Sequence, residues 1–324
     1  MVPAQLAVKR TRATVKQDKK HLKNSFSISI TAEDQYGNVV TSYSSSVPLS
    51  VSGGPTISPT STGTTGWSNG VWTGSVILTG KGNPVAITAN DGSGHTGSSN
   101  NFQVIPQPPF GIDGKNSEAG LQHGGSLTLS TTYPDDVIIV QISSNSQSHT
   151  FSVSDSAGLY WQERSGLPMY SSNNEMVDEW YAIASSPLSS DTITVTESGG
   201  SSHDEVIVAF GISGAHIAAP FDTHSGLPVR GRGTTGTPTV TGVSTTNAND
   251  MILAFAGYAG SSTVETAQSG YTLIASQTVT NTNAGASEEE IVSAAQTGAT
   301  VTFGTAPAGI NDWVMFVDAV RAGP

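Results

Sequence analysis

The sequence predicts an all-β protein of two β-sandwich domains, the second of them internally duplicated. Three observations lead there. Gly, Ser and Thr crowd a chain in which only 12% of 324 residues are charged and 36 are glycine, and helix-forming runs of Ala, Leu, Glu and Lys are missing. Apolar residues either alternate or stand in short runs, as strands require. One series of turn-plus-strand patterns occurs twice in the last two thirds of the chain.

The first domain spans residues 1–105. Phe26, Ile28, Ile30 and Ala32 alternate with Ser27, Ser29 and Thr31, the period of a half-buried strand. Glu33–Asn38 follows as a turn. Trp72, Val76 and Leu78 mark one face of the next strand, Val85, Ile87 and Ala89 another, and Phe102 and Val104 close the module. Five to seven short strands in about 100 residues is the size of an immunoglobulin-type sandwich.

The segments FSISITAEDQYGNVVTSY, ISPTSTG, NGVWTGSVILT and ITANDGSGHTGSSNNFQV resemble the bacterial Ig-like repeats of invasin-type and filamin-type surface proteins, over nearly all of residues 6–105. The resemblance implies a spacer module of adhesins, surface layers or virion appendages, with no catalytic residues to carry over. Such repeats tend to occur in tandem, and one copy is present here.

Residues 106–111 hold three prolines, a stiff linker, and the second domain runs over 112–324. In its first half Pro134-Asp135-Asp136 leads into Val137–Ile142, and Asp204-Glu205 into Val206–Phe210. In its second half Asn249-Asp250 leads into Met251–Phe255, and Asn311-Asp312 into Trp313–Val317. The halves, about 126–216 and 238–322, predict a jelly-roll-like sandwich with pseudo-twofold character. On this alignment Glu179 corresponds to Glu290, and Glu288–Glu290 reads as a solvated strand start. DDVIIVQISS, VSDSAGLYW, EWYAIASSPLSSDTITVT and VIVAFGISGA…PFD resemble a lectin-like sandwich module of archaeal and bacterial surface or phage-type proteins, which implies no catalytic residues either.

Charge and composition exclude several functions. Cysteine is absent, so disulfides and thiolate metal sites are ruled out. Seven basic residues, Lys9, Arg10, Arg12, Lys16, Lys19, Lys20 and Lys23, lie in the first 23; the rest holds six basic and 24 acidic residues, a formal charge of −18. Such a body repels nucleic acid. The basic segment is a candidate assembly contact with another copy or a neighbouring surface or capsid protein, by strand addition. No run is long enough to span a membrane as a helix, and the N-terminus shows no apolar signal-peptide run.

Catalytic constellations are not expected. Gly211-Ile212-Ser213-Gly214-Ala215 approaches a nucleophile elbow, but Pro220 breaks any following helix. Glu175, Asp178 and Glu179 before Trp180 could flank a glycosidic bond, yet read better as strand-start acids. No cofactor is expected, although turn acids Asp135, Asp136, Asp155 and Asp222 offer hard oxygen ligands suited to a structural calcium. Trp67 and Tyr170 are the candidate exposed rings for glycan contact. Together these features lead to a non-enzymatic structural or adhesive surface protein, extracellular or on a virion. The missing signal run favours a virion fibre or decoration protein over a cell-surface appendage. A carbohydrate-binding module is the alternative and a glycoside-cleaving enzyme the third reading.

Overall fold

The computed structural model describes residues 19–21, 25–145, 149–164, 166–171, 175–199, 203–260, 264–279, 282–304 and 312–323. Among these there are strands and turns and no helix, in two compact units, residues 1–107 and 108–323. Lys9, Arg10, Arg12, Lys16 and Lys23 lie outside the described residues.

The first unit contains β1 (Lys19–His21), β2 (Ser25–Thr31), β3 (Leu49–Val51), β4 (Thr56–Ser58), β5 (Trp67–Ser68), β6 (Val71–Thr79), β7 (Gly82–Val85), β8 (Ile87–Asn90), β9 (Thr96–Ser98) and β10 (Phe102–Ile105). They form three small sheets: β2-β6-β4 with β5 also on β6, β1-β10-β7, and β3-β8-β9. The alternating residues meet as expected, with Ile28, Ile30, Trp72, Val76, Leu78, Ile87, Phe102 and Val104 in one core. Lys19 and Lys20 belong to β1, which pairs in parallel with β10 of its own chain.

The second unit contains β11 (Gly111–Leu121), β12 (Gly124–Leu129), β13 (Asp136–Ser144), β14 (Thr150–Asp155), β15 (Gln162–Glu163), β16 (Met169–Tyr170), β17 (Met176–Ala184), β18 (Asp191–Ser198), β19 (Glu205–Ser213), β20 (Val229–Gly233), β21 (Thr239–Val243), β22 (Met251–Ala259), β23 (Thr272–Val279), β24 (Asn283–Ile291), β25 (Ala299–Thr302) and β26 (Asp312–Val320). Two large sheets, β11-β19-β13-β17-β15 with β16 also on β17, and β20-β26-β22-β24-β23, stack face to face. Between them pack Val137, Ile139, Phe210 and Ile212 against Leu253, Phe255, Phe316 and Val320. Sheet β12-β18-β14 covers the outer face of the first, burying Ile138, Val140 and Ile142, and β21-β25 covers the second, burying Ile252, Ala254 and Tyr258.

This four-layer stack explains why the strands after the acidic turns are apolar at consecutive positions. Each of the nine residues of β13, β19 and β26 is buried, because both faces are covered. Fully burying a Val, Ile or Phe contributes about 1.5–3 kcal/mol, so these central strands dominate the stability of the unit.

The duplication covers every strand but β14: β11 to β20, β12 to β21, β13 to β22, β15 and β16 to β23, β17 to β24, β18 to β25 and β19 to β26 occupy matching places. The repeat therefore includes β11 and β20, earlier than the expected halves, and β11 already begins inside the expected linker. Ladder register corrects one alignment. Glu179 pairs with Gln141, whose counterpart Phe255 pairs with Ser287, so Ser287 and not Glu290 matches Glu179. Glu288 to Glu290 end β24 rather than start it, and Glu288 is fully buried, not solvated.

Between the large sheets runs a polar seam. Ser287 donates to Gln141 (2.6 Å), Gln141 donates to Glu179 (2.9 Å), and Ser143 lies 2.9 Å from Glu175 and 3.0 Å from Asn283. Gly257 faces Ser143 so closely that a Cβ there would lie 2.8 Å from its Oγ and from Glu175 Oε1.

Candidate functional site

The tetrapeptide Ser-Gly-Leu-Pro occurs twice in the sequence, at 165–168 and 225–228, and the same hydrogen bond spans both copies, although Ser165 lies outside the described residues. Leu167 N–H donates to Arg164 C=O and Leu227 N–H to His224 C=O, both at 3.1 Å. The first turn separates β15 from β16 at one edge of the first large sheet. The second precedes β20, the edge of the facing sheet. The two edges meet: a Cβ on Gly166, whose φ is +94°, would lie 2.6 Å from Arg230 Nη2 and 3.7 Å from Pro228 Cδ. Glycine is the residue that permits both this backbone and this approach.

Beside that contact opens a pocket of about 460 Å³ lined by Pro168, Met169, Tyr170, Arg230, Gly231 and Arg232, within the range of small-ligand sites. Arg230 and Arg232 are exposed and stand two apart on β20, so they leave the same face of the strand. Gly231 turns the other way, toward Thr239 and Val240. Among the described residues neither arginine has a hydrogen-bond or ion-pair partner, whereas Arg164 holds Asp318 (2.5 Å) and Arg321 holds the Ala219 carbonyl. Tyr170 is half-buried, and burial, then Asp178 and Glu163, raise its hydroxyl pKa. It stays a proton donor.

Of the two rings expected to be exposed, Tyr170 lines this pocket. Trp67 instead is half-buried in the first unit, packed edge-on against Tyr43 at 5.0 Å with its indole N–H on Gly63 C=O. Tyr160 is the ring most open to solvent in the second unit, at 79%. The arginines were missed by sequence reasoning, which weighed basic residues only in the N-terminal run. The repeated Ser-Gly-Leu-Pro, each copy followed within two residues by Tyr170 or Arg230, was the available signal.

The turn acids considered for calcium have separate engagements. Asp136 pairs carboxyl to carboxyl with Asp113, and Asp250 with Asp222. Asp113 accepts from the N–H groups of Thr132 (2.7 Å) and Tyr133 (2.8 Å), and Asp222 from Thr246 N–H (2.9 Å), Thr246 hydroxyl (2.6 Å) and Asn247 (2.7 Å). These are repeat-equivalent pairs, since Asp135 and Asn249 before them share left-handed φ values of 63° and 62°, a conformation Asp and Asn tolerate. Burial and then its partner raise Asp136 to about 8 and Asp250 to about 7. Burial would raise Asp222 too, but its hydrogen bonds hold it at about 2. Asp136 therefore keeps its proton at neutral pH, while Asp250 gives its own up across neutrality. Asp155 accepts from the Trp161 indole at 2.6 Å. Among the described residues no group of three or more His, Asp or Glu side chains is arranged to hold a metal ion.

The remaining acids serve the packing. Asp178 accepts from the Trp180 indole (2.9 Å) on the outer face of β17, while Glu175 and Glu179 point into the seam between the sheets. The three acids before Trp180 thus divide between two faces of the strand and do not flank one cleft. His149 hydrogen-bonds Glu197, which in turn pairs with Glu205. Ser213 ends β19 with its hydroxyl on Pro109 C=O (2.6 Å), and no helix follows. Compared with protein-family models and with curated protein sequences, the chain matches none.

Proposed function

We propose that this is a non-enzymatic structural and adhesive surface protein, a subunit of a virion fibre, virion decoration or cell-surface appendage, in which the first unit is a spacer and the duplicated stack a head. The observation that carries the reading is the pocket of Tyr170, Arg230 and Arg232, where side chains with free hydrogen-bonding capacity converge on an opening. Most other polar side chains of the stack that are drawn together, the paired carboxyls and the seam acids, are spent on each other, as befits a scaffold. The same pocket favours a second reading, a carbohydrate-binding module.

The test is retention of the labelled full chain on a printed array of neutral and acidic glycans, together with its mass by light scattering at low and high salt. A salt-sensitive assembly supports the appendage subunit, and glycan retention by a monomer supports the binding module. A monomer that no glycan retains overturns both.

A further inference from the structure

We propose that the pocket between β16 and β20 binds the carboxylate of an acidic saccharide, with Arg230 and Arg232 holding the carboxylate and Tyr170 the sugar ring. This rests on the adhesive reading above and narrows it to a ligand class.

An arginine fork matches a planar carboxylate with two parallel N–H donations, and two forks lie on one face of β20. In a body rich in acids, these two guanidinium groups have no acceptor among the described residues. Leaving two cations unpaired and side by side costs like-charge repulsion, which an incoming anion relieves.

The surrounding charge selects among anions. With a formal charge of −18 beyond residue 23, a polyanion would meet repulsion wherever it left the pocket. Screening confines the reach of those acids to about 8 Å at physiological salt, so a single carboxylate seated against the arginines escapes most of it. The opposite wall is Pro168, Met169 and the ring of Tyr170. A bare inorganic anion has no use for that wall, whereas the C–H face of a sugar packs on it while the Tyr170 hydroxyl donates to a ring oxygen or hydroxyl.

The construction of the rim agrees. One copy of the repeated segment separates β15 from β16 and the other precedes β20, and the two bring Gly166 against Arg230.

Calorimetric titration of the full chain decides, with trigalacturonate and sialyllactose as carboxylated probes, the trigalacturonate methyl ester and lactose as neutral ones, and galactose 6-sulfate and inorganic sulfate as sulfur oxyanions. The expected result is that at least one carboxylated probe binds ten-fold or more tightly than its neutral counterpart. Arg230→Ala and Arg232→Ala each then weaken it at least ten-fold. Arg230→Lys, which keeps the charge and loses the fork, falls between wild type and Arg230→Ala, and Tyr170→Ala weakens the saccharide but not inorganic sulfate. Lys81→Ala, an exposed cation of the first unit, leaves binding unchanged; an equal loss there would mean that net charge alone is responsible and would overturn the site. Neutral sugars binding as well as acidic ones overturn the carboxylate and leave the adhesive reading standing. Preference for the sulfated sugar overturns the carboxylate assignment. No binding by any probe overturns the inference, and an empty glycan array beside it removes the adhesive reading as well.

Discussion

The two long rims of the duplicated stack are built from equivalent strands and end differently. At one rim β11 lies over β23, and at the other β20 lies beside β16. Ladder register places Ser117, opposite Val208, where the second half has Arg230, opposite Phe316. It likewise places Gln277, opposite Gly285, where the first half has Met169, opposite Val177. At the first rim Gln277 donates to Ser117 at 2.9 Å and Lys115 donates to Leu273 C=O at 3.1 Å, so the edges are tied across the stack. At the second rim the same two positions hold a thioether and a guanidinium, which cannot tie, and a pocket remains. Moreover β11 and β23 run through eleven and eight residues, whereas β23's counterpart is divided into two-residue β15 and β16 and β11's counterpart β20 has five residues and starts only after the second Ser-Gly-Leu-Pro. A duplicated fold supplies two equivalent edges; closing one secures the stack and leaves the other free for a ligand.

The largest effect expected on this comparison comes from the feature both halves share. Asp113→Ala and Asp222→Ala each strand a buried carboxyl partner and two or more donors, at about 1–3 kcal/mol per stranded group, so each is expected to cost about 3 kcal/mol in denaturant unfolding. Costs that differ by more than about 1.5 kcal/mol would break the equivalence of the halves.

The pH dependence comes next. Asp136 and Asp250 have folded pKa values of about 8 and about 7, above the ordinary carboxylate value, so both take up a proton on folding between that range and their raised values. Their contribution is complete below about pH 4 and is lost as pH rises through 7–8. The melting temperature at pH 5 should exceed that at pH 9 by roughly 15–25 °C, at about 1.4 kcal/mol per pH unit for each carboxyl and about 2–4 °C per kcal/mol for a domain of this size. Asp222 acts oppositely, with stability lost only as pH falls through about 2. Asp136→Asn with Asp250→Asn keeps a neutral donor in each pair and should make the profile shallower without flattening it, because burial also raises Asp178 and Glu288 to about 7 and Glu179, Glu205 and Glu265 to about 8; an unchanged slope would place the titration wholly in those other carboxyls.

Gly257→Ala pushes a methyl group into Ser143 and Glu175 at the seam where the halves cross, and should cost about 1–3 kcal/mol. Ser143→Gly, which makes the two sides of the seam alike, should relieve part of that cost in the double variant. The smallest effects belong to the rims themselves. Ser117→Ala should lose about 1 kcal/mol. Met169→Gln with Arg230→Ser, which copies the closed rim onto the open one, should cost about 1 kcal/mol, because Met169 is buried in the core and the new amide is offset only by its bond to the new hydroxyl, while abolishing retention on acidic glycans. Retention that survives this exchange would separate the pocket from adhesion.

Much of this architecture was legible in the residues. The alternation of Phe26, Ile28 and Ile30 and the consecutive apolar runs after Asp136 and Asp250 are short-range patterns, and a covered face imposes them locally. The matched acidic turns exposed the duplication, because Asp135 and Asn249 must adopt the same left-handed backbone. Less was legible of the site: Tyr170 could be picked out as a loop ring, but Arg230 and Arg232 carried no local sign of being unpaired, and Trp67 looked as exposed as Tyr170 until the ring of Tyr43 was placed beside it.

By itself, then, the sequence determined an all-β chain, its two units and its repeat, since strand period and turn chemistry act over a few residues. Only the tertiary structure decided which groups meet. Asp113 finds Asp136 across the intervening strand β19 and Ser143 finds Asn283 across 140 residues of chain. Glu179 is matched to Ser287 rather than Glu290 because insertions in loops shift the numbering while the ladder keeps its register. Whether a rim closes on a Gln–Ser bond or stays open on two arginines depends on side chains from facing sheets, and their distance is fixed by stacking rather than by any local pattern.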